Sequence, residues 1–171
     1  MPAHSAAATR TPRGIRFAAV TTDRGIVARQ IGREPRAFRR VAVRCPFGKP
    51  AVTEQAPFDD AGAPFPTTFW LTCPYLVAQV SRIEAAGGVE RWTQSVRDDP
   101  ALSRSLVRAH EEQRALRPQH AGGIAGALPG AGSLKCLHAH VAFALARPGY
   151  ELGNLILAEL GPLWPSRCCT E

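Results

Sequence analysis

The sequence predicts an α+β fold: a small three-stranded antiparallel sheet covered by four to five helices, with a disordered arm at the N-terminus. Three observations carry this expectation. Short β-prone runs separated by Pro/Gly turns lie between residues 41 and 72. From Pro74 to Leu160 the apolar residues recur at helical spacing. Residues 1–19 are rich in Ala, Arg and Pro and show no periodicity, which is the composition of a disordered segment. A length of 171 residues suits one domain, 20–171, behind that arm.

The elements follow in order. Thr22 and Asp23 offer an N-cap for a short helix, Arg24 to Ile31, which Gly32 and Pro35 close. The run 41–44 reads as a first strand, and Pro46, Gly48 and Pro50 turn it into a second over 51–55. After the turn at 59–62, residues 67–72 combine β-branched and aromatic side chains and make the strongest strand. Pro74 suits a first helical turn, and Leu76, Val77, Val80 and Ile83 form an apolar stripe up to Gly87-Gly88. A short helix with Val89, Trp92 and Val96 comes next. Asp99 then caps another with Pro100 at its first position, and Pro118 ends it. Residues 121–133 form a loop, Ser133 is expected to cap a helix over 134–146, and Leu152, Leu155, Ile156 and Leu160 define the last one.

The formal net charge of +7 is uneven. Ten arginines against Asp23 and Glu34 give residues 1–44 a balance of +8, while residues 45–171 balance at −1. This argues against a nucleic-acid-binding body and leaves such contact to the basic arm alone. No apolar run approaches the roughly 18–20 residues that span a bilayer, and no secretory signal is visible. The expected compartment is the cytoplasm, where five cysteines do not read as a disulfide framework.

The cysteines carry the chemistry. Cys45, Cys73 and Cys136 each stand beside a turn or helix start: Cys45-Pro46-Phe47-Gly48, Thr72-Cys73-Pro74 and Lys135-Cys136-Leu137-His138. In an antiparallel meander the first and third strands run the same way. Cys45 and Cys73 then sit at one end of the sheet, two steps of roughly 4.8 Å apart. With His138 the three make a Cys3His set, a common zinc composition, although no Cys-x-x-Cys occurs. His140, Cys168 and Cys169 compete for the fourth place, and four thiolates would equally suit an iron–sulfur cluster. Burial as small apolar residues is the plain alternative.

These motifs, Arg44-Cys45-Pro46-x-Gly48-x-Pro50, then Pro64 through Pro74, then Lys135-Cys136-Leu137-His138, together resemble the bacterial domain-of-unknown-function family 501 over roughly residues 22–160. The resemblance implies no activity. It implies functional residues at Cys45, Cys73, Cys136 and His138, and so raises the weight of a metal site. It also implies a mainly actinobacterial protein whose gene neighbourhood, often with a septum-formation initiator, suggests a protein partner in cell division. Two departures bear on the fourth ligand. Phe47 stands where family members often have Cys, and His140 replaces a second histidine usual near Phe143.

Two further sites are weaker. Gly130, Gly132, Ser133 and Lys135 precede a helix and could receive an anion, but the lysine position of a phosphate-binding loop is not matched. Cys136 with His138 could serve as nucleophile and base of a thiol enzyme, provided the segment is not regular helix, because i and i+2 do not face each other there. The leading expectation is a metal-site protein, with zinc ahead of an iron–sulfur cluster and the metal mainly structural; the rival reading is a non-enzymatic interaction module linked to cell division by the gene neighbourhood that the resemblance implies.

Overall fold

The computed structural model describes residues 22–128, 130 and 132–169. The arm expected over 1–19 lies outside them. Helix α1 (Asp23–Ile31) leads into β1 (Phe38–Arg44), β2 (Pro50–Gln55) and β3 (Phe69–Leu71). Five helices follow: α2 (Pro74–Ala85), α3 (Gly88–Asp98), α4 (Pro100–Leu116), α5 (Leu137–Ala146) and α6 (Glu151–Glu159). Between α4 and α5 stands one 3-10 turn, Ile124–Gly126.

Local chemistry sets the start of the chain. Thr22 Oγ1 accepts the Gly25 amide at 3.3 Å and caps α1, and Gly32 ends it at φ 69°. The sheet is an antiparallel meander in the order β1-β2-β3, as expected. In the first hairpin the Gly48 amide donates to the Cys45 carbonyl at 2.9 Å, with Pro46 inside the turn and Gly48 at φ 73°. The third strand is shorter than expected, although its ladder reaches one residue beyond it each way. Gln55 donates to the Thr68 carbonyl at 2.8 Å, and Thr72 donates to that of Ala51 at 2.9 Å.

Val52 lies opposite Leu71, and the ring of Phe69 meets Phe143 of α5 edge-on at 5.7 Å. This face carries the core. Trp70 points to the other face, where Phe65 approaches at 5.7 Å and the Arg33 guanidinium stands 5.0 Å over its ring. Arg117, at the end of α4, is buried and donates to the carbonyls of Phe65 and Gln55. It thereby fastens the β2–β3 connection to α4, and burial lowers its pKa.

Much of the basic N-terminal charge belongs to this fold. Arg24 pairs with Glu34 and Asp60, Arg44 with Asp23, and Arg39 and Arg40 with Glu54. Among the described residues no helix is long and apolar enough to cross a membrane.

Asp99 caps α4, its Oδ1 accepting the Ala101 amide at 2.7 Å. Asp99→Ala is expected to cost about 1 kcal/mol, measured by urea denaturation. An unchanged midpoint would show that Pro100 alone fixes the helix start.

Candidate metal centre

Helix α5 starts at Leu137, three residues later than expected. Thr93 Oγ1 takes the Leu134 amide at 3.1 Å, and Lys135 Nζ reaches the Gly126 carbonyl at 3.1 Å. These bonds hold the approach to the helix in irregular backbone. Cys136 becomes the N-cap in extended conformation, φ −158° and ψ 118°. This geometry answers the spacing problem, because an extended residue just before a helix can face a side chain in its first turn. The Cys136 sulfur lies 3.8 Å from His138 Nδ1.

The third member comes from α2. Val77, Ser81 and Glu84 recur at i, i+4 and i+7, which places them on one helical face. All three meet His138. Glu84 Oε2 lies 3.3 Å from His138 Nδ1, while His138 Nε2 lies 3.2 Å from Ser81 Oγ and 3.3 Å from the Val77 carbonyl. A carbonyl only accepts, so a proton belongs on Nε2, while the Glu84 carboxylate favours a second proton on Nδ1 that a bound ion would replace. The other Glu84 oxygen accepts the Leu137 amide at 2.6 Å. A carboxylate there also suits the positive end of α5. Contact with the Cys136 sulfur, with Glu84 adding to it, raises the His138 pKa against the opposing effect of burial.

One ligand atom each from Glu84, Cys136 and His138 lies within 4.8 Å of the other two. Among the described residues this is the one group of three or more His, Cys, Asp or Glu that meets that spacing. Cys136 and His138 also line a cleft of about 530 Å³ that runs to Trp70, Ile31 and Arg33 along the edge of β3.

The remaining candidate residues take other places. Cys45 and Cys73 lie at the same end of the sheet, as the strand directions require, but outside the group. Both are buried. The Cys73 sulfur lies 3.7 Å from that of Cys169 instead. His140 is buried and its Nδ1 bonds the Tyr150 hydroxyl at 2.7 Å. Cys168 is half-buried. Gly130, Gly132 and Ser133 do not lead straight into α5, and the first amide of that helix is already taken by Glu84.

Glu84 was not anticipated. No pattern near Glu84 in the sequence marks it, since Val77 of the same face belongs to the apolar stripe and takes part through its backbone carbonyl.

Fold and site together define a small α+β domain with a Cys/His/Glu group that could hold a metal ion. Residues 41–123 match the model of the family described as "Protein of unknown function (DUF501)". The matched stretch contains the Cys45 and Cys73 motifs, whereas Cys136 and His138 lie beyond it. No curated protein matches the chain. No solved structure matches it either.

Proposed function

We propose that this protein is a metal-site protein holding one zinc ion between Glu84, Cys136 and His138. The observation that carries this reading is the direction of the His138 ring. Its far nitrogen donates to a backbone carbonyl, as the distal nitrogen of a metal-bound histidine commonly does. Its near nitrogen faces a sulfur and a carboxylate oxygen at 3.8 and 3.3 Å. Zinc bonds of about 2.3 Å to sulfur and about 2.0 Å to nitrogen or oxygen, at tetrahedral angles, separate such donors by about 3.3–3.6 Å. One thiolate among three donors suits a single ion, whereas an iron–sulfur cluster is ordinarily held by several thiolates.

The ion would cross-link α2 to the start of α5 and contribute folding free energy directly. Three protein donors leave a fourth position for water or a ligand, and two of the donors line the cleft. The arrangement is a poor relay for a thiol nucleophile. Glu84 and Cys136 share the same ring nitrogen, so the histidine does not stand between them as a base oriented from its far side.

Metal analysis of the full chain purified without chelator tests the reading. One equivalent of zinc is expected, lost in Cys136→Ser and His138→Ala and held at least 10-fold more weakly in Glu84→Gln. Cys45→Ser and Cys73→Ser should retain it. Loss in Cys45→Ser and Cys73→Ser as well, with Glu84→Gln retaining the ion, would restore the Cys45/Cys73/Cys136/His138 set, and a visible charge-transfer spectrum with bound iron would favour a cluster. Zinc must displace the proton that His138 holds more firmly than an ordinary histidine. Its affinity should therefore fall as the pH drops, with protons released on binding in weak buffer.

A further inference from the structure

Cys73 and Cys169 are two thiols outside the metal group, and their sulfurs lie 3.7 Å apart across 96 positions of chain. They differ in access. Cys73 is 2% exposed at the N-terminus of α2, and Cys169 is exposed in the segment that follows α6. That segment is fastened along α2 by side chains. The Tyr75 hydroxyl donates to the Pro162 carbonyl at 2.9 Å, and Gln79 Nε2 donates to that of Leu160 at 3.3 Å. Residues 160–169 contain neither helix nor strand.

We propose that Cys73 and Cys169 form a reversible disulfide site, closed by a low-molecular-weight disulfide such as oxidised glutathione and opened again by thiols. The Cys169 thiolate attacks one sulfur of the reagent. The reagent's S–S bond breaks, one thiolate leaves, and a mixed disulfide remains on Cys169. The Cys73 thiolate, its proton released to solvent, then displaces the second reagent thiolate and forms the Cys73–Cys169 bond. The protein gives up two electrons and two protons, and the reagent becomes two thiols.

Geometry supports closure. A disulfide bond of about 2.05 Å requires the sulfurs to approach by about 1.7 Å. The tail can supply that movement without breaking a ladder or helix bond, because its backbone is irregular. Access sets the order of the two steps. Burial pushes the Cys73 thiol up to about 11, against the pull of the Leu76 and Tyr75 amides. An external reagent therefore meets Cys169 first, and Cys73 resolves the intermediate from inside. The bond would tie the C-terminal segment to a residue whose neighbours, Thr72 and Pro74, line the cleft. The proposal stands independently of the metal reading.

Treatment of the full chain with oxidised glutathione tests it. The thiol count should fall from five to three with the loss of two hydrogen atoms from the intact mass. Peptide mapping should link the peptides containing Cys73 and Cys169, and the melting temperature should rise by about 5 °C or more. Cys168→Ser should form the same bond and Cys169→Ser should not. A Cys168–Cys169 bond, a Cys73–Cys168 bond, or a stable mixed disulfide on Cys169 with Cys73 still reduced would each overturn the proposal.

Discussion

Acidification from pH 7 to pH 4 is expected to remove on the order of 2 kcal/mol of stability through His110 alone. This histidine is 5% exposed on α4. Its Nδ1 accepts the Ile124 amide at 3.0 Å, and its Nε2 has no partner. Acceptance at Nδ1 requires the neutral ring. Burial lowers its pKa to about 4, and Arg114 on the same helix adds to that effect. The unfolded chain binds the same proton near pH 6.5. The contribution is therefore complete above pH 6.5, falls as the pH drops toward 4, and changes no further below that. His140, whose ring centroid lies 6.2 Å from that of His110, is lowered to about 3 by burial and by His110 and titrates in the same sense. His138 opposes them in the metal-free protein. Its pKa is raised, so its contribution is present below pH 6.5 and lost as the pH rises through its folded value. The measurement is urea denaturation of the wild type and His110→Asn at pH 7, 5.5 and 4.5. The asparagine does not titrate, so the wild type should lose more stability than the variant across this range. Parallel losses would show that the His110 ring accepts its proton without disturbing the fold.

The parts of the fold that were legible in the sequence are those fixed by neighbours in the chain. Thr22 and Gly32 bound α1, the Cys45-Pro46-x-Gly48 turn folds the first hairpin, and Asp99 with Pro100 starts α4. Each rests on bonds spanning a few residues. The start of α5 was misplaced because it is fixed from a distance. The amides of Leu134 and Leu137 go to Thr93 and Glu84, 41 and 53 positions away. Ser133 looked like a cap by composition, but these bonds delay the helix to Leu137.

The site divides in the same way. Cys136 and His138 were legible because their separation is local and only the backbone between them had to depart from helix. Glu84 was not, because its role comes from the crossing of α2 with α5 rather than from anything near it in the chain. For Cys45 and Cys73, strand direction correctly placed both at one end of the sheet. Strand direction says nothing of where a sulfur turns, and the Cys73 sulfur meets a tail cysteine that pattern reading could not bring there.

Gly153→Ala should destabilise the protein by about 2–3 kcal/mol, although alanine is the better helix former by about 1 kcal/mol. Gly153 lies inside α6, where glycine is costly unless something needs the space. The space is needed by α5 and by Tyr150. A Cβ at Gly153 would lie 2.6 Å from the Ala144 Cβ and closer still to the Tyr150 ring. Tyr150 has little freedom to yield. Its hydroxyl bonds His140 at 2.7 Å, and its ring stands edge-on to Phe143 at 5.8 Å. Phe143 in turn meets Phe69 of β3, so displacement of Tyr150 is transmitted to the sheet. The methyl group must therefore either break the Tyr150–His140 bond or separate α6 from α5. Urea denaturation measures the cost, and the near-ultraviolet circular dichroism of Tyr150 should change with it. Removing the opposing methyl in Gly153→Ala/Ala144→Gly should recover only part of the loss, because the Tyr150 contact persists. A single variant as stable as the wild type, or more stable by the helix-propensity difference, would show that α5 and α6 have room between them.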